Sequence, residues 1–248
     1  MASKIIVDQL EKTGGSLTAL TLPTSNASAS EFLQNNGSGV LSWASASAGF
    51  HNVQFITTSA NPVTLTSGTT LIIVEVQGAG GASGSSTGVG YVGGTGGSGA
   101  YSLQQLTVVD TDTWNVTIGA GGVNGATISG GDTVFATASG SSLGSTITAG
   151  GGAGAPDASS IHGDGGVGGT VTNANTGNKL SIAGPAGSAG NSGQRGPGSM
   201  FGFGGTKRIY ADGDGGNAVG YGSGAGAAAG VSNAGANGSA GLVIIWEY

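Results

Sequence analysis

The chain contains 248 residues, of which 55 are glycine, and this share is about three times the average for proteins. Charged residues make up only 7% of the chain, the net charge is −6, and cysteine is absent. This composition excludes disulfides and thiolate metal sites, and the six scattered Lys and Arg residues give no basic patch for nucleic acid. No apolar run approaches the roughly 18 residues of a membrane helix, and residues 1–8 lack the apolar core of a secretory signal. We therefore expect neither membrane insertion nor a leader.

Glycine divides the chain into two parts, because only six glycines precede Gln77 and the other 49 follow it. Residues 1–48 contain few large apolar side chains and cannot bury enough surface to fold alone. We predict an extended N-terminal arm over residues 1–48, which other subunits or proteins complete, and a glycine-rich β domain over residues 49–248. The apolar arm residues expected to make these contacts are Ile5, Val7, Leu10, Leu20, Leu22, Phe32, Leu33, Leu41 and Trp43.

Strand patterns dominate the chain after residue 49. Runs rich in β-branched and aromatic residues are bounded by Gly, Pro and Asn, which is typical of strands. The predicted strands cover residues 50–57, 63–66, 70–77, 101–108, 113–118, 132–136, 145–149, 179–182 and 241–248. No window has the i, i+3, i+4, i+7 apolar spacing of an amphipathic helix. The sequence therefore predicts an all-β fold, an antiparallel β-sandwich interrupted by long insertions.

The insertions are glycine-rich and unusually long. They cover residues 78–99, 150–169, 184–205 and 213–241. A strict period of three, which matches the three residues per turn of a polyproline II helix, links Gly184, Gly187, Gly190, Gly193 and Gly196. We predict that such helices pack side by side within one subunit and exchange backbone hydrogen bonds, since each helix makes none internally. The alternative from composition is a set of flexible linkers.

Packed glycine helices would present their connecting loops at one end, where large side chains would stand out. Aromatic and basic residues on rigidly held loops are typical of recognition surfaces. The predicted contacts to a partner surface are Tyr91, His162, Phe201, Phe203, Lys207, Arg208, Tyr210 and Tyr221. Lys207 and Arg208 form a basic pair that suits an acidic sugar or a phosphate, unless they are a solvated turn. The alternative for the aromatic rings is that they cover the glycine helices or join the sandwich core.

Little in the sequence supports catalysis or a cofactor. Only two histidines, His51 and His162, are present, and the residues after His162 have the composition of a turn. Asp212 and Asp214 resemble part of a calcium loop but lack its bidentate Glu, so Asx turns are the favoured interpretation. We expect no enzyme activity, no cofactor and no bound metal.

The N-terminal residues resemble a known group of proteins. Residues 4–11 are KIIVDQLE, residues 20–29 are LTLPTSNASA, and residues 32–43 are FLQNNGSGVLSW. Together these segments resemble N-terminal segments of bacteriophage tail-fibre and related virion proteins. In that group the segment belongs to an oligomeric, usually trimeric, shaft or attachment region. The resemblance implies a homotrimer that is joined to other virion proteins through the arm.

A second resemblance covers residues 50–248. The order of LIIVEVQGAGG, YSLQQLTV, TWNVTIGAGG and the terminal GLVIIWEY is similar to the glycine-rich domain common in phage and prokaryotic surface proteins. The interior runs are also similar to the polyglycine-helix tips of some long-tail-fibre adhesins, where loops between packed helices select the host receptor. Here the runs contain more Ala, Ser and Asn, and the arm lies on the same chain.

These features predict a non-enzymatic virion protein on the surface of the phage particle, assembled in the host cytoplasm. We expect a tail-fibre or fibre-tip protein whose glycine-rich loops contact a bacterial surface glycan or an outer-membrane protein. The alternative is a capsid decoration, head-fibre or cement protein with a purely structural role. A glycan depolymerase is the third class, and the sequence gives it the least support.

Overall fold

The computed structural model divides the chain into two compact units, Met1–Gly49 and Phe50–Tyr248. It describes residues 9–10, 20–29, 31–35, 38, 40–45, 49–125, 128–138, 146–159, 161–190, 194–206 and 213–248. The first unit contains two short antiparallel pairs, in which β1 pairs with β2 and β3 with β4. The strands are β1 (Gln9–Leu10), β2 (Leu20–Thr21), β3 (Glu31–Asn35) and β4 (Leu41–Ser45).

The second unit is built from two five-stranded sheets and one separate hairpin. Its strands are β5 (Asn52–Ile56), β6 (Ala60–Thr64), β7 (Leu71–Gln77), β8 (Tyr101–Thr107), β9 (Thr113–Thr117), β10 (Thr133–Thr137), β11 (Ile147–Ala149), β12 (Val171–Asn173), β13 (Lys179–Ile182), β14 (Phe201–Phe203), β15 (Val219–Tyr221) and β16 (Leu242–Glu247). The first sheet has the order β12-β11-β10-β9-β6 and the second has the order β13-β8-β7-β16-β5. β14 and β15 form the hairpin, and every neighbouring pair is antiparallel.

The two sheets enclose one hydrophobic core. Trp114 of β9 stacks on Phe135 of β10, with ring centroids 5.6 Å apart and an interplanar angle of 18°. From the second sheet, Ile72, Val74 and Ile245 complete the core, and all of them are fully buried. Alternate residues of β7 point into this core, as period-two patterning requires. No described residue lies in an α-helix or a 3₁₀-helix, so the prediction of an all-β antiparallel sandwich is confirmed.

A buried carboxylate ties the C-terminal strand to neighbouring chain segments. Glu247 is fully buried, and its Oε1 accepts hydrogen bonds from the amides of Asn52 at 3.1 Å and Gln54 at 2.7 Å. Its Oε2 accepts from the Thr66 backbone N–H at 2.6 Å and the Thr69 hydroxyl at 3.1 Å. Burial by itself raises the pKa of Glu247, but these hydrogen bonds outweigh burial and hold that pKa below its ordinary value.

Eight of the nine predicted strands agree with the observed strands to within about two residues at each end, an accuracy usual for boundaries. The strand predicted at 63–66 is observed at Ala60–Thr64. Three observed strands were not predicted from the sequence: Val171–Asn173, Phe201–Phe203 and Val219–Tyr221. Each has only three residues, which is too short for a period-two pattern, so cross-strand pairing decides them.

The glycine segments form an ordered bundle, defined here as the described glycine-rich residues between the strands from 78 to 241. Within residues 78–86, N–H groups three residues apart donate to the same neighbouring segment. Gly78, Gly81 and Gly84 donate to the carbonyls of Ala100, Gly97 and Gly94 at 2.8–3.1 Å. Gly80, Ser83 and Ser86 donate to Ser239, Ala236 and Asn233 at 2.8–3.0 Å. Three-residue periodicity of this kind is the signature of packed polyproline II helices, not of free linkers.

The segment with the strict glycine period follows the same rule. The N–H groups of Gly184, Gly187 and Gly190 donate to the carbonyls of Gly169, Gly166 and Gly163 at 2.7–2.9 Å. The predicted helix therefore exists over its first three glycines, whereas Gly193 lies outside the described residues.

Close backbone contact explains why the bundle needs glycine. A Cβ atom built on Gly96 would lie 2.1 Å from the Gly81 carbonyl oxygen, and one on Gly81 would lie 2.1 Å from that of Ala153. Backbone atoms cannot relieve such a clash by rotating, whereas the end of a flexible side chain can. A side chain at either position would force the neighbouring helices apart.

Candidate functional site

The glycine bundle carries a set of loops away from the sandwich. Gly78 follows β7 directly and bonds to Ala100, which directly precedes β8. At the 3.1 Å rise per residue of a polyproline II helix, residue 86 lies roughly 25 Å beyond that sheet edge. The distal loops, defined as residues 86–91, 161–162 and 230–233, meet at this level.

Backbone and side-chain hydrogen bonds hold the distal loops together. The Val92 N–H donates to the Ile161 carbonyl at 3.1 Å, and the Gly230 N–H donates to the Tyr91 carbonyl at 3.2 Å. The Ser86 hydroxyl donates to the Gly230 carbonyl at 2.7 Å. Three loops that are distant in sequence are thus fixed to one another.

The side chains that stand out on the distal loops are aliphatic. Val89 is 81% exposed, Ile161 is 62% exposed and Val231 is 52% exposed. Because hydrogen bonds join the three loops, these exposed apolar side chains lie at one end of the bundle and make that end a candidate interaction site. The predicted contact residues were aromatic, histidine and basic side chains, whereas the most exposed side chains on these loops are aliphatic.

Two of the predicted contact residues do lie on the distal loops. The Tyr91 ring is half-buried and packs over Gly88. The His162 ring is exposed, and its Nδ1 contacts the Gly190 carbonyl oxygen. Because a carbonyl oxygen can only accept a hydrogen bond, Nδ1 carries the proton. Hydrogen bonding and packing therefore hold both rings in defined positions.

Three other predicted contacts lie elsewhere, on the β14–β15 hairpin near the sandwich. Phe201 pairs with Tyr221 across the hairpin, and its ring lies 5.8 Å from that of Tyr101. Phe203 is 81% exposed. The Gly99 N–H donates to the Gly222 carbonyl beside the hairpin, and the Gly93 N–H donates to the Ala228 carbonyl beside the distal loops. At the rise of a polyproline II helix, the segment from Gly93 to Gly99 separates the hairpin from the distal loops by roughly 20 Å along the bundle. The structure thus divides the predicted cluster into two surfaces.

The remaining predicted contacts, Lys207, Arg208 and Tyr210, lie outside the described residues, as does Asp212. Asp214 accepts a hydrogen bond from the Ala234 N–H at 2.9 Å. This bond joins two segments that are 20 residues apart, so it is not the local Asx turn that the sequence predicted. Among the residues that the structure describes, no group of three or more His, Asp or Glu side chains could hold a metal ion.

A hydroxyl-lined cavity that was not predicted from the sequence lies beside the distal loops. The cavity has a volume of about 330 Å³ and is lined by Ser85, Ser86, Thr87, Ser232, Asn233 and Ala234. Hydroxyl and amide groups both donate and accept hydrogen bonds, as the hydroxyls of a sugar do. In the sequence, the only local sign of this cavity is the run Ser85-Ser86-Thr87, which interrupts a glycine-rich stretch.

The described part of the arm exposes apolar side chains. Phe32 is 48% exposed and Leu33 is 44% exposed, both on β3. Trp43 is half-buried, and its Nε1 donates to the Ser25 carbonyl at 2.6 Å. Leu20, Leu22 and Leu41 are also half-buried, Leu10 lies in β1, and Ile5 and Val7 lie outside the described residues.

Comparison with known proteins identifies the second unit. A family model described as a glycine-rich domain matches residues 56–247, a range that includes the glycine bundle and every strand of the two sheets except most of the edge strand β5. No curated protein matches the chain significantly. Within the described residues, no helix has the length and hydropathy needed to cross a membrane.

Proposed function

The chain belongs to the glycine-rich domain family, and from this premise we propose that it is a non-enzymatic bacteriophage virion protein. It is a tail-fibre or fibre-tip protein on the particle surface, and its distal loops contact a glycan or protein of the host cell. The observation that carries the proposal is the exposure of Val89, Ile161 and Val231 on loops that a rigid backbone bundle holds together.

The chemistry of the distal end suits a carbohydrate. Aliphatic side chains pack against the apolar faces of sugar rings. The Ser85, Ser86 and Thr87 hydroxyls of the neighbouring cavity already donate to oxygens of Asn124, Gly230 and Ala158, so they can serve a ligand only as hydrogen-bond acceptors. The loops are fixed before binding, so little conformational entropy is lost when a ligand is bound. A surface of this kind binds weakly as a single copy and strongly as several copies.

The arm supplies those copies. Phe32 and Leu33 are exposed in an isolated chain, and contact with other copies or with other virion proteins would bury them. This role is consistent with the resemblance of residues 4–43 to fibre N-termini, which implies a homotrimer. A capsid decoration protein would need the same arm, so only the distal loops separate the two functions.

Phage particles that carry Val89→Ser together with Ile161→Ser test the proposal. We expect adsorption to host cells to fall by about tenfold or more, because multivalent binding amplifies each weakened contact. The matched control is Phe55→Ser with Val109→Ser, two residues 63% and 54% exposed on the sandwich. Phe55 and Val109 lie outside the bundle, so this variant should adsorb as the parent does.

Two measurements accompany the adsorption assay. Quantifying the protein in purified particles shows whether each variant is incorporated, and melting of the isolated chain shows whether it folds. Unchanged adsorption of the distal-loop variant at full incorporation would overturn the proposed receptor contact and favour the capsid decoration or cement function.

A further inference from the structure

A carboxylate lies in the middle of the outer face of the second sheet. Glu75 of β7 points away from the sandwich core, because its neighbours Val74 and Val76 point into it. Leu103 of β8 and Ile244 of β16 are the direct cross-strand neighbours of Glu75. Glu75 is half-buried, so part of its side chain reaches solvent. The sheet therefore presents a negative charge within an apolar surface.

Two aromatic side chains hold this carboxylate. The Trp246 Nε1–H donates to Glu75 Oε1 at 2.8 Å, and the Tyr101 hydroxyl donates to Glu75 Oε2 at 2.6 Å. Burial and the Glu75 carboxylate raise the pKa of Tyr101, so this phenol stays neutral at physiological pH. The indole of Trp246 is neutral as well. Both partners therefore orient the carboxylate without cancelling its charge.

No basic side chain in the described strands of this sheet compensates the charge. Lys179 is the basic residue of these strands, and its ammonium donates instead to the carbonyls of Asn173 and Asn175 at 2.9–3.0 Å. Each Glu75 oxygen accepts one of the two aromatic hydrogen bonds and keeps a lone pair for another donor. The carboxylate is thus oriented, charged and able to accept further hydrogen bonds.

Aromatic rings border Glu75 on the side of β5. Trp246 is half-buried, and the Phe50 ring, which is 54% exposed, lies 6.2 Å from the Trp246 ring. The Phe50 ring also lies 5.9 Å from that of Tyr248. The face of an aromatic ring attracts a cation, and indole does so most strongly. A cation that approaches Glu75 from this side therefore meets a carboxylate and an indole together.

These features restrict what can cover the surface. A purely apolar partner would take the Glu75 charge out of water without compensation, which is unfavourable. A guanidinium is planar, stacks on aromatic rings and donates paired hydrogen bonds to a carboxylate, whereas an ammonium is a strongly hydrated point charge. The combination of Glu75 with Trp246 is therefore complementary to arginine.

We propose that the outer face of the second sheet binds a protein partner through an arginine side chain. The guanidinium donates to the remaining lone pairs of Glu75 and packs against Trp246, and Phe50 extends the aromatic surface beside it. This site lies on the sandwich and is separate from the distal loops, so it goes beyond the receptor contact proposed above.

A short arginine peptide tests the site on the purified full chain. The chain has three tryptophans, and each gives one indole N–H signal in an NMR spectrum. With acetyl-Gly-Arg-Gly-amide as the probe, we expect the Trp246 signal to shift with a Kd of about 1 mM, because only one side chain binds. The matched peptide with citrulline, which has a similar shape but no charge, should bind about tenfold more weakly. Trp114 is fully buried, and its signal should not move.

A matched pair of variants locates the binding, because each variant removes one negative charge. Glu75→Gln should weaken binding of the arginine peptide about tenfold, since the amide has no charge to attract the guanidinium. An unchanged Trp114 signal in this variant shows that the sandwich core is intact. Asp164 is exposed in the glycine bundle, so Asp164→Asn should bind the peptide as the parent does.

Three results would overturn the proposal. The first is an equal response to the arginine and citrulline peptides, or no shift of the Trp246 signal with either. The second is an equal loss of binding in both variants, which would indicate attraction to the net charge of the chain alone. The third is equally tight binding of the corresponding lysine peptide, which would contradict the choice of a guanidinium. Failure here leaves the distal-loop proposal intact, because phage adsorption is measured separately.

Discussion

The sandwich and the glycine bundle stabilise neighbouring parts of one chain in opposite ways. In the sandwich, Trp114 and Phe135 fill the space between two sheets, and backbone hydrogen bonds stay within each sheet. In the bundle, helices that lack side chains at their contacts approach until backbone atoms touch, and hydrogen bonds run between helices. One region excludes water with side chains, and the other does so with the backbone itself.

The two regions should therefore respond differently to mutation. A sandwich core tolerates exchange among apolar residues of similar volume and suffers when volume is lost. The bundle has almost no side-chain volume to lose, and it suffers when volume is added. This difference makes the regions separately testable.

The largest expected effect comes from removing volume in the sandwich. Trp114→Ala should lower the free energy of unfolding by about 3–5 kcal/mol, because Trp114 is fully buried and its loss leaves a cavity. Thermal or denaturant melting measures the change. Phe55→Ala, at a side chain 63% exposed, is the control and should change stability by no more than about 0.5 kcal/mol.

Adding a single methyl group should break the bundle. Gly96→Ala places a Cβ within 2.1–2.7 Å of backbone atoms of Gly81 and Ala82, so we expect a loss of about 3 kcal/mol, the upper end of the usual overpacking range. Gly49→Ala is the control, because no atom lies within 4 Å of its added Cβ.

Hydrogen exchange shows where the Gly96→Ala destabilisation is located. Faster exchange should appear in residues 78–100 and in the segments that bond to them, while β9 and β10 stay protected. Uniform acceleration over both regions would contradict the separation, and no acceleration would show that the bundle is looser than the contacts indicate.

The smallest of these effects should depend on pH and arise from the sandwich. The folded-state pKa of Glu247 lies below its ordinary value, so its stabilising contribution is complete above about pH 4.3 and is lost as the pH falls towards the folded-state value. Glu247→Gln turns an amide NH₂ towards two of the four donors and should cost about 1.5–3 kcal/mol at neutral pH.

Melting of the Glu247→Gln variant between about pH 3 and pH 7 checks the sign of this contribution. The difference from the parent should shrink as the pH falls. A constant difference would mean that the carboxylate charge is not what stabilises this end of β16.

Much of the architecture follows from local patterns in the sequence. Period-two alternation over Leu71–Gln77 and the β-branched run at Leu242–Glu247 predict strands without reference to the rest of the chain. Glycines spaced by three from Gly184 predict a polyproline II helix for an equally local reason, since the spacing equals one turn. Each signal is a repeat that one segment carries by itself.

The functional surfaces were less predictable. Tyr91 and Phe201 look alike in the sequence, because each is an aromatic residue next to a glycine. The structure nevertheless places them roughly 20 Å apart along the bundle. The Ser85-Ser86-Thr87 cavity also depends on Ser232 and Asn233, which lie far away in sequence. No local pattern specifies which loops meet.

Local patterns in the sequence were enough to predict the all-β class, the positions of the long strands and the polyproline II conformation of the insertions, because local periodicity and steric freedom decide these properties. Tertiary packing decided that the polyproline II helices bond to several neighbours at once, that hydrogen bonds join the loops of Val89, Ile161 and Val231, and that the buried Gln77 Oε1 has no partner among the described protein groups. These features arise from contacts between distant segments, and packing of the whole chain sets their geometry.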